Sequence, residues 1–502
     1  EDARQVRQLA FTAVVRFFRA LATGDPVLIL LEDLHWADEG SLDLLLHLLH
    51  ECEQGQLLLV CFTRPSLFER RPEWQHLVHP GMFHTLITLE PLSPADSHRL
   101  IREILQKVPH VPADLSNLLA GSAEGNPFYL EEMIKVLIED GAIAKEGERW
   151  QVRADRATLR VPTTLTGVLQ ARLDRLSLPE RAMLQRAAVV GRLFWDSALA
   201  ALGANGTADL HTTLDALVDK ELIFQRKKSI FAGSREYIFK HAVLREVTYE
   251  SLLRQQRRVY HARVAEWLAD HGGERVREYA GIIGEHYELA GNAAAAATWY
   301  GRAGRQARNS HTPETAIHYF RKALSFLPEG EDTLARQVEW YGGLGEMLRW
   351  QARFTEAVAA LENMLRAAEA AGDLEGQAGA WKALFLTHDY QGEHRAALES
   401  ARGAEQVARI AGSQADLAMA LSAKGWAMMY LGQEEGALEL AAEALSLSRE
   451  AGSRREIAYS YILLGGVYRG KVKPYASLSF GHDGEGDALV RELKAALERV
   501  FK

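Results

Sequence analysis

Cysteine is nearly absent, with two in 502 residues, Cys52 and Cys61. Two thiols cannot staple a disulfide framework, and no Cys/His spacing suited to zinc accompanies them. No apolar run approaches the roughly 20 residues that cross a bilayer, and no signal-peptide pattern stands at the start. Basic charge is not in excess. Lys and Arg number 58 against 67 Asp and Glu, a net charge of -9. That balance excludes a general attraction to nucleic acid or to an anionic membrane, leaving only local patches. The expectation is a cytoplasmic chain with no membrane contact. The chain also opens without a methionine, inside the helical pattern EDARQVRQLAFTAVVRFFRAL, as a fragment would.

What is present is ordinary for globular domains: 47% hydrophobic and 25% charged residues, over a length sufficient for several domains. The most informative stretch is Val27 to Asp38, VLILLEDLHWAD. Five apolar residues ending in Glu32 and Asp33 read as a strand buried on both faces, the mark of a parallel sheet. Open α/β sheets bind ligands at the carboxyl ends of their strands. Carboxylates placed there suit a magnesium ion and a water oriented at a nucleotide phosphate. The plainer alternative is that Glu32 and Asp33 start a polar loop or cap the helix beginning near Glu39. A helix precedes this strand over residues 3 to 22, ended by Gly24-Asp25-Pro26. A second buried strand is expected over Leu57 to Phe62, with Thr63 and Arg64 at its end. A third is expected over Thr85 to Leu89.

EDLHWAD, the leucine-rich SLDLLLHLLHE and then LLLVCFTRP together resemble the Walker B and sensor 1 region of the STAND class of P-loop ATPases. Within that class they are most similar to bacterial signalling ATPases found beside class III nucleotide cyclases or in LuxR/MalT-type transcription regulators. The resemblance implies that Glu32 and Asp33 are the catalytic and metal-handling acids. Glu32 stands where many relatives have Asp. It implies that Arg64 reaches the terminal phosphate, where the residues alone suggest a surface salt bridge before Pro65. Gly125-Asn126-Pro127-Phe128-Tyr129-Leu130 resembles the lid motif whose proline packs on adenine. A Gly-Asn turn exposes the Pro127 ring while its φ is fixed, though a proline opening a helix explains the same residues.

Helical segments at Glu180 to Val190 and Asp209 to Lys220 precede strand-like runs at Leu222 to Gln225 and Tyr237 to Lys240. Together they suggest a winged helix, which the resembled class carries after its lid. The helix ADLHTTLDALVDK would be the one to enter a groove, but it carries Asp209, Asp215 and Asp219 against Lys220. Phosphate contact needs basic residues, so direct nucleic-acid binding is not expected. His241, Tyr249, Arg257, Arg258 and His261 sit on amphipathic helices with no nucleophile arrangement, and packing roles are favoured. By resemblance, His241 is the residue to touch a nucleotide phosphate.

From about Ala280 the chain turns alanine-rich and repetitive. Gly372, Gly412 and Gly452 recur every forty residues, as do Ala357, Ala397 and Ala437, and Val358, Leu398 and Leu438. Trp350, Tyr390 and Tyr430 keep the same period and are expected to fill the gaps between helix pairs. The pattern resembles tetratricopeptide (TPR) repeats with lengthened helices, which stack into superhelices that bind peptides or proteins. After Tyr468 the pattern breaks into KVKPYASLSFGHDGEGD, followed by an amphipathic helix over Ala488 to Phe501. Gly465 to Lys471 has the spacing GxxxxGK of a phosphate-binding loop. A repeat helix precedes it, however, and Val472 stands where a hydroxyl residue would hold magnesium.

The resulting fold class is mainly α. Residues 1–92 are a truncated α/β P-loop ATPase core, 93–160 a helical lid and 161–275 a winged helix with its helical junction. Residues 276–470 are an α-solenoid of TPR-like repeats, and 471–502 are unassigned. The function implied is part of an ATP-dependent signalling switch, with ATP and Mg2+ as cofactors of the intact protein. A protein partner or inducer would bind the array, and an effector domain (cyclase, kinase or DNA-binding) would lie outside this chain. The Walker A loop is expected upstream of residue 1, so this chain alone should bind no cofactor tightly and hydrolyse nothing. The alternatives are a non-catalytic interaction scaffold carrying a degenerate ATPase remnant, or a fragment of a LuxR-type regulator.

Overall fold

A computed structural model describes residues 3–51, 56–76, 84–146, 149–152, 164–203, 207–452 and 457–463 without 458. The phosphate-loop-like run at 465–471 and the tail at 471–502 lie outside the described residues. The chain is mainly helical with a few small sheets. It divides into two compact units, residues 86–292 and a second unit of residues 1–85 with 293–502. Among the described residues no helix is long and apolar enough to cross a membrane.

Residues 1–85 begin with α1 (Ala3–Ala22), β1 (Val27–Leu31), α2 (Glu39–Glu51), β2 (Leu57–Cys61) and the short α3 (Ser66–Arg70). The strands pair in parallel, Val27 opposite Leu57 through Leu31 opposite Cys61. Val15 of α1 and Leu48 of α2 bury Ile29 and Leu57 beneath them. The expected burial on both faces does not occur. Leu28, Leu30 and Leu58 are 56%, 59% and 61% exposed, because helices cover one face and nothing among the described residues covers the other. The expected strand over Thr85 to Leu89 is also absent. That run is extended but unpaired, with Ile87 75% and Leu89 84% exposed. An apolar run becomes a strand only where a neighbour takes up its backbone groups.

In residues 86–292, α4 (Pro94–Ile104), α5 (Ala113–Ala123) and α6 (Pro127–Glu139) enclose Ile101, Leu119, Met133 and Ile134. A hairpin of β3 (Ile143–Glu146) and β4 (Arg149–Val152) follows. Next come α7 (Leu165–Asp174), α8 (Leu178–Val190), β5 (Leu193–Trp195), α9 (Asp196–Ala201), α10 (Thr207–Asp219), β6 (Ile223–Gln225) and β7 (Glu236–Phe239). The last three strands form an antiparallel sheet in the order β5-β7-β6. Helix, strand, two helices and a closing hairpin are the topology of a winged helix. Its first strand, β5, goes unseen in the sequence because three residues show no alternation. A reciprocal cap starts α8, with Ser177 and Glu180 each bonding the other's backbone N–H.

The unit ends with α11 (Ala242–Glu250), α12 (Arg254–His271) and α13 (Ala280–Ala290). Tyr249, Arg257 and His261 pack here as expected, the Arg257 guanidinium lying 4.5 Å from the Tyr249 ring centre. The Tyr249 hydroxyl lies 2.9 Å from His261 Nε2, and His261 Nδ1 lies 2.8 Å from His286 Nδ1. Neutral His261 donates through one ring nitrogen and accepts through the other, so the three groups form one hydrogen-bonded chain whose direction the tautomers set.

The helix pairs of the array are α14 (Ala293–Asn309), α15 (Pro313–Phe326), α16 (Leu334–Trp350), α17 (Phe354–Ala371), α18 (Leu374–Gln391), α19 (His394–Ala411), α20 (Gln414–Tyr430) and α21 (Glu434–Glu450). From α16 onward successive helices start at 334, 354, 374, 394, 414 and 434, so the forty-residue period is two helix-plus-turn units of twenty. Each turn needs one left-handed residue, in which the next N–H reaches back to a carbonyl five residues earlier. Asp373 N donates to Ala368 O at 2.9 Å across Gly372, and Ser413 N to Ala408 O at 3.2 Å across Gly412. Ala352, with φ 57°, fills this place between α16 and α17. Ala357, Ala397 and Ala437 are fully buried where helices cross. Trp350, Tyr390 and Tyr430 do not fill gaps as expected. They stand at helix ends, where His311 stacks on Trp350, Arg349 lies over Tyr390 and His394 stacks on Tyr430. The packing wedge is elsewhere: the buried Phe320 ring presses on Gly304 and Gly343, each leaving no room for a Cβ.

Two stability predictions follow from these features. A left-handed alanine costs about 1 kcal/mol or more relative to glycine. Ala352→Gly is expected to stabilise by up to about 1 kcal/mol and Gly412→Ala, which has open space for a Cβ, to destabilise by about 1–2 kcal/mol. Urea unfolding followed by circular dichroism reads both, and shifts of the same sign would refute the assignment. Secondly, burial and then the Arg245 and Arg257 charges push His261 down to about 4. Burial, His261 and Arg245 push His286 down to about 3. Both rings are neutral in the fold and take up protons on unfolding, near their ordinary value of about 6.5. Their stabilisation is therefore whole above about pH 6.5 and is lost as pH falls toward 4. The urea midpoint should fall between pH 7 and 5, and His286→Gln should flatten that slope; a midpoint constant over this range would contradict it.

Candidate functional site

β1 and β2 end side by side, and the residues beyond them carry the strand-end chemistry. Glu32 and Asp33 follow β1; Thr63 and Arg64 follow β2. The ends are tied by Phe62 N donating to Leu31 O at 2.7 Å and Leu34 N to Phe62 O at 3.0 Å. Glu32 and Arg64 are exposed, and Asp33 is half-buried. Asp33 has φ 56° and ψ 34°, a left-handed backbone opening the turn Leu34–Trp36. Only a minority of non-glycine residues take that conformation, and such strain gathers at functional sites.

Neither acid caps α2, the plainer alternative for them. Asp38 does so, accepting from Ser41 N at 2.8 Å and from the Ser41 hydroxyl at 3.0 Å. Arg70 pins the same loop by donating to Ala37 O at 2.6 Å, and Arg71 joins Glu39 at 2.5 Å and Asp43 at 2.8 Å. The other half of the plainer alternative holds for Asp33, which opens the loop turn Leu34–Trp36. This supporting role of Asp38 was legible in the sequence, since Asp three residues before Ser at a helix start is a capping pattern.

The residues expected of a lid and a winged helix come together separately, within residues 86–292. Asn126 caps α6 by accepting from Tyr129 N at 3.1 Å, which places Pro127 at the first helical position with its ring exposed. Gly125 has φ 77°, and Leu92 N donates to its carbonyl at 2.8 Å. A Cβ there would lie 2.5 Å from Leu92 O, so only glycine lets this turn form against residues 91–92. Phe128, next to Pro127, lies 4.1 Å from His241, ring centre to ring centre. Burial pushes His241 below the usual imidazole range, so the ring is neutral near pH 7. Its Nε2 is buried without a hydrogen-bond partner.

A clamp beneath Phe128 fixes this geometry. Arg172 of α7, 4% exposed, donates to Glu132 at 2.5 Å, to Glu139 at 3.1 Å and to Lys220 O at 3.0 Å. Glu132 is 1% exposed. Lys135 reaches Glu131, Glu132 and Glu221, and Lys240 reaches Glu221 at 2.6 Å. Removing one partner of a buried pair costs about 3–5 kcal/mol, so α6, α7 and the end of α10 are held as one piece. Nothing in the spacing around Arg172 distinguished it from a surface arginine.

The residues present fit part of a nucleotide site. Glu32 and Asp33 offer the oxygen donors that magnesium takes. Among the described residues no three or more His, Cys, Asp or Glu gather as for a metal ion, and no glycine-rich loop follows a strand to cradle phosphates. No catalytic step is derived from such a set. The outward side of α10 shows Asp209, Asp215 and Asp219, the wrong charge for a nucleic-acid groove.

No family model matches the chain. An uncharacterized protein of Rhizobium meliloti (strain 1021) is 26% identical over 329 residues, covering 64% of this chain and 30% of that protein. The chain thus spans less than a third of that relative's length. Among solved structures, a STAND signal-transduction ATPase with a tetratricopeptide repeat sensor from Pyrococcus horikoshii is similar with a TM-score of 0.36 at 16% identity, over 92% of this chain and 67% of that one. The apo form of RapI is similar with a TM-score of 0.36 at 14% identity, over 43% of this chain and 60% of that one.

Proposed function

We propose that this chain is part of a STAND-type ATP-dependent signalling switch whose TPR-like array is a protein-binding sensor. The observation that carries the reading is the pair of parallel strands ending in Glu32-Asp33 and Thr63-Arg64, with Asp33 in a left-handed backbone conformation. Ligands of open α/β sheets bind at such strand ends. In the proposal Glu32 and Asp33 handle magnesium and the attacking water, and Arg64 senses the terminal phosphate. The exposed ring of Pro127 meets adenine. His241, neutral and with an unsatisfied Nε2, bonds a phosphate oxygen. Bound magnesium would neutralise phosphate charge in the transferring nucleotide. The effector domain that converts the switch into a signal lies outside this chain.

The phosphate cradle supplies most of the nucleotide affinity in such sites, and none stands among the described residues. Isothermal titration of Mg-ATP into this chain should therefore give binding no tighter than about millimolar. A longer chain that includes an upstream GxxxxGK[ST] should bind at micromolar concentration, and Asp33→Ala should weaken that at least tenfold. Micromolar binding by the present chain, dependent on Asp33, would overturn the half-site assignment. A longer chain indifferent to Asp33 would overturn the switch itself.

A further inference from the structure

Among the described residues the array leaves a hollow that no helix fills. Phe385 and Leu386 of α18, Ala404 of α19, and Met419, Ala420 and Ala423 of α20 line it. The alanines keep its walls low, leaving a hollow of about 60 Å³ for an apolar side chain of a docking segment, as in helix-in-groove recognition. Its rim holds one charged residue, Lys382, and one aromatic, Tyr459. Tyr459 belongs to the last described helical turn, which runs to Leu463. The polypeptide beyond follows Leu463, one helical turn past Tyr459 and packed with Ala441.

That polypeptide is long enough to return. Residues 464–502 follow Leu463, and within them 488–501 read ALVRELKAALERVF. At 100° per residue Leu489, Leu493, Ala496, Leu497 and Val500 share one face, while Arg491, Glu492, Glu498 and Arg499 share the other. The intervening residues 464–487 reach up to about 80 Å when extended and average about 27 Å as a flexible chain. Asp483, Glu485 and Asp487 precede the apolar segment, a charge complementary to Lys382.

We propose that residues 488–501 dock into this hollow as an amphipathic helix, so that the chain occupies its own array. A tether of this length gives an effective concentration of about 1 mM, so an intrinsic affinity of only about 100 μM leaves the hollow about nine-tenths filled. This docking does not rest on the nucleotide reading and stands or falls separately from it.

Hydrogen exchange of the full chain tests it at the amides of 488–501. They should exchange about tenfold more slowly than in a free peptide of residues 486–502, at any protein concentration. Met419→Glu, a half-exposed position, should abolish that protection, with circular dichroism confirming the fold. On the unaltered chain, excess unlabelled 486–502 peptide should release the segment to the same extent, which keeps the test decisive if Met419→Glu does not fold. Free-peptide exchange rates in the unaltered chain would refute the docking, as would protection indifferent to both Met419→Glu and the competing peptide. Protection lost on dilution would overturn it in favour of a contact between two copies.

Discussion

The second half of the molecule depends on a chain reversal every twenty residues in which one residue must take a left-handed backbone. Without it the carbonyls at each helix end would lack donors, and the next helix would leave at the wrong angle to pack. Glycine meets the requirement at Gly372, Gly392, Gly412, Gly432 and Gly452, and Ala352 meets it at a cost. Once the reversal is fixed, every helix presents the same edge to its neighbour. That is why the buried alanines Ala357, Ala397 and Ala437 share one period.

A different constraint governs residues 86–292. The three nitrogens of one guanidinium, Arg172, donate to Glu139 and Glu132 of α6 and to the carbonyl of Lys220, just past α10. Charge buried this deeply tolerates no loss of partner, so Pro127, Phe128 and His241 inherit a fixed mutual position from residues that touch no ligand. The parallel pair at residues 27–61 is the opposite case. Its strand ends are well placed, yet one face of leucines meets solvent. All-parallel sheets usually have both faces covered, whereas among the described residues helices cover one face of this pair.

Much of this was legible in the sequence where a residue type answers a local demand. The run VLILL before two acids located β1 and its strand-end carboxylates, and the forty-residue spacing of Gly372, Gly412 and Gly452 located the array. Asn126-Pro127 gave the start of α6. What the sequence hid were relations across space. VLILL reads the same whether one face or two are covered, so the exposure of Leu28 and Leu30 left no trace. Thr85 to Leu89 has strand-like residues but no partner strand, and pattern alone cannot supply one. The period of Trp350, Tyr390 and Tyr430 was correct while their role was not, because periodicity fixes a position along a helix and not what lies opposite. The pairing of Phe128 with His241 joins residues far apart in the chain, and no local signal announces it.

The array's regularity also bears on how such a protein changes over generations. Each helix touches chiefly its neighbours, so stability accumulates along one dimension. A duplication or deletion of forty codons would add or remove one helix pair while leaving every remaining crossing intact. A change of twenty would exchange the roles of the two helix types from that point on, and any other length would misplace the left-handed residue. The reading frame of this architecture is therefore coarser than the genetic one, and its length is the property inheritance can alter most freely.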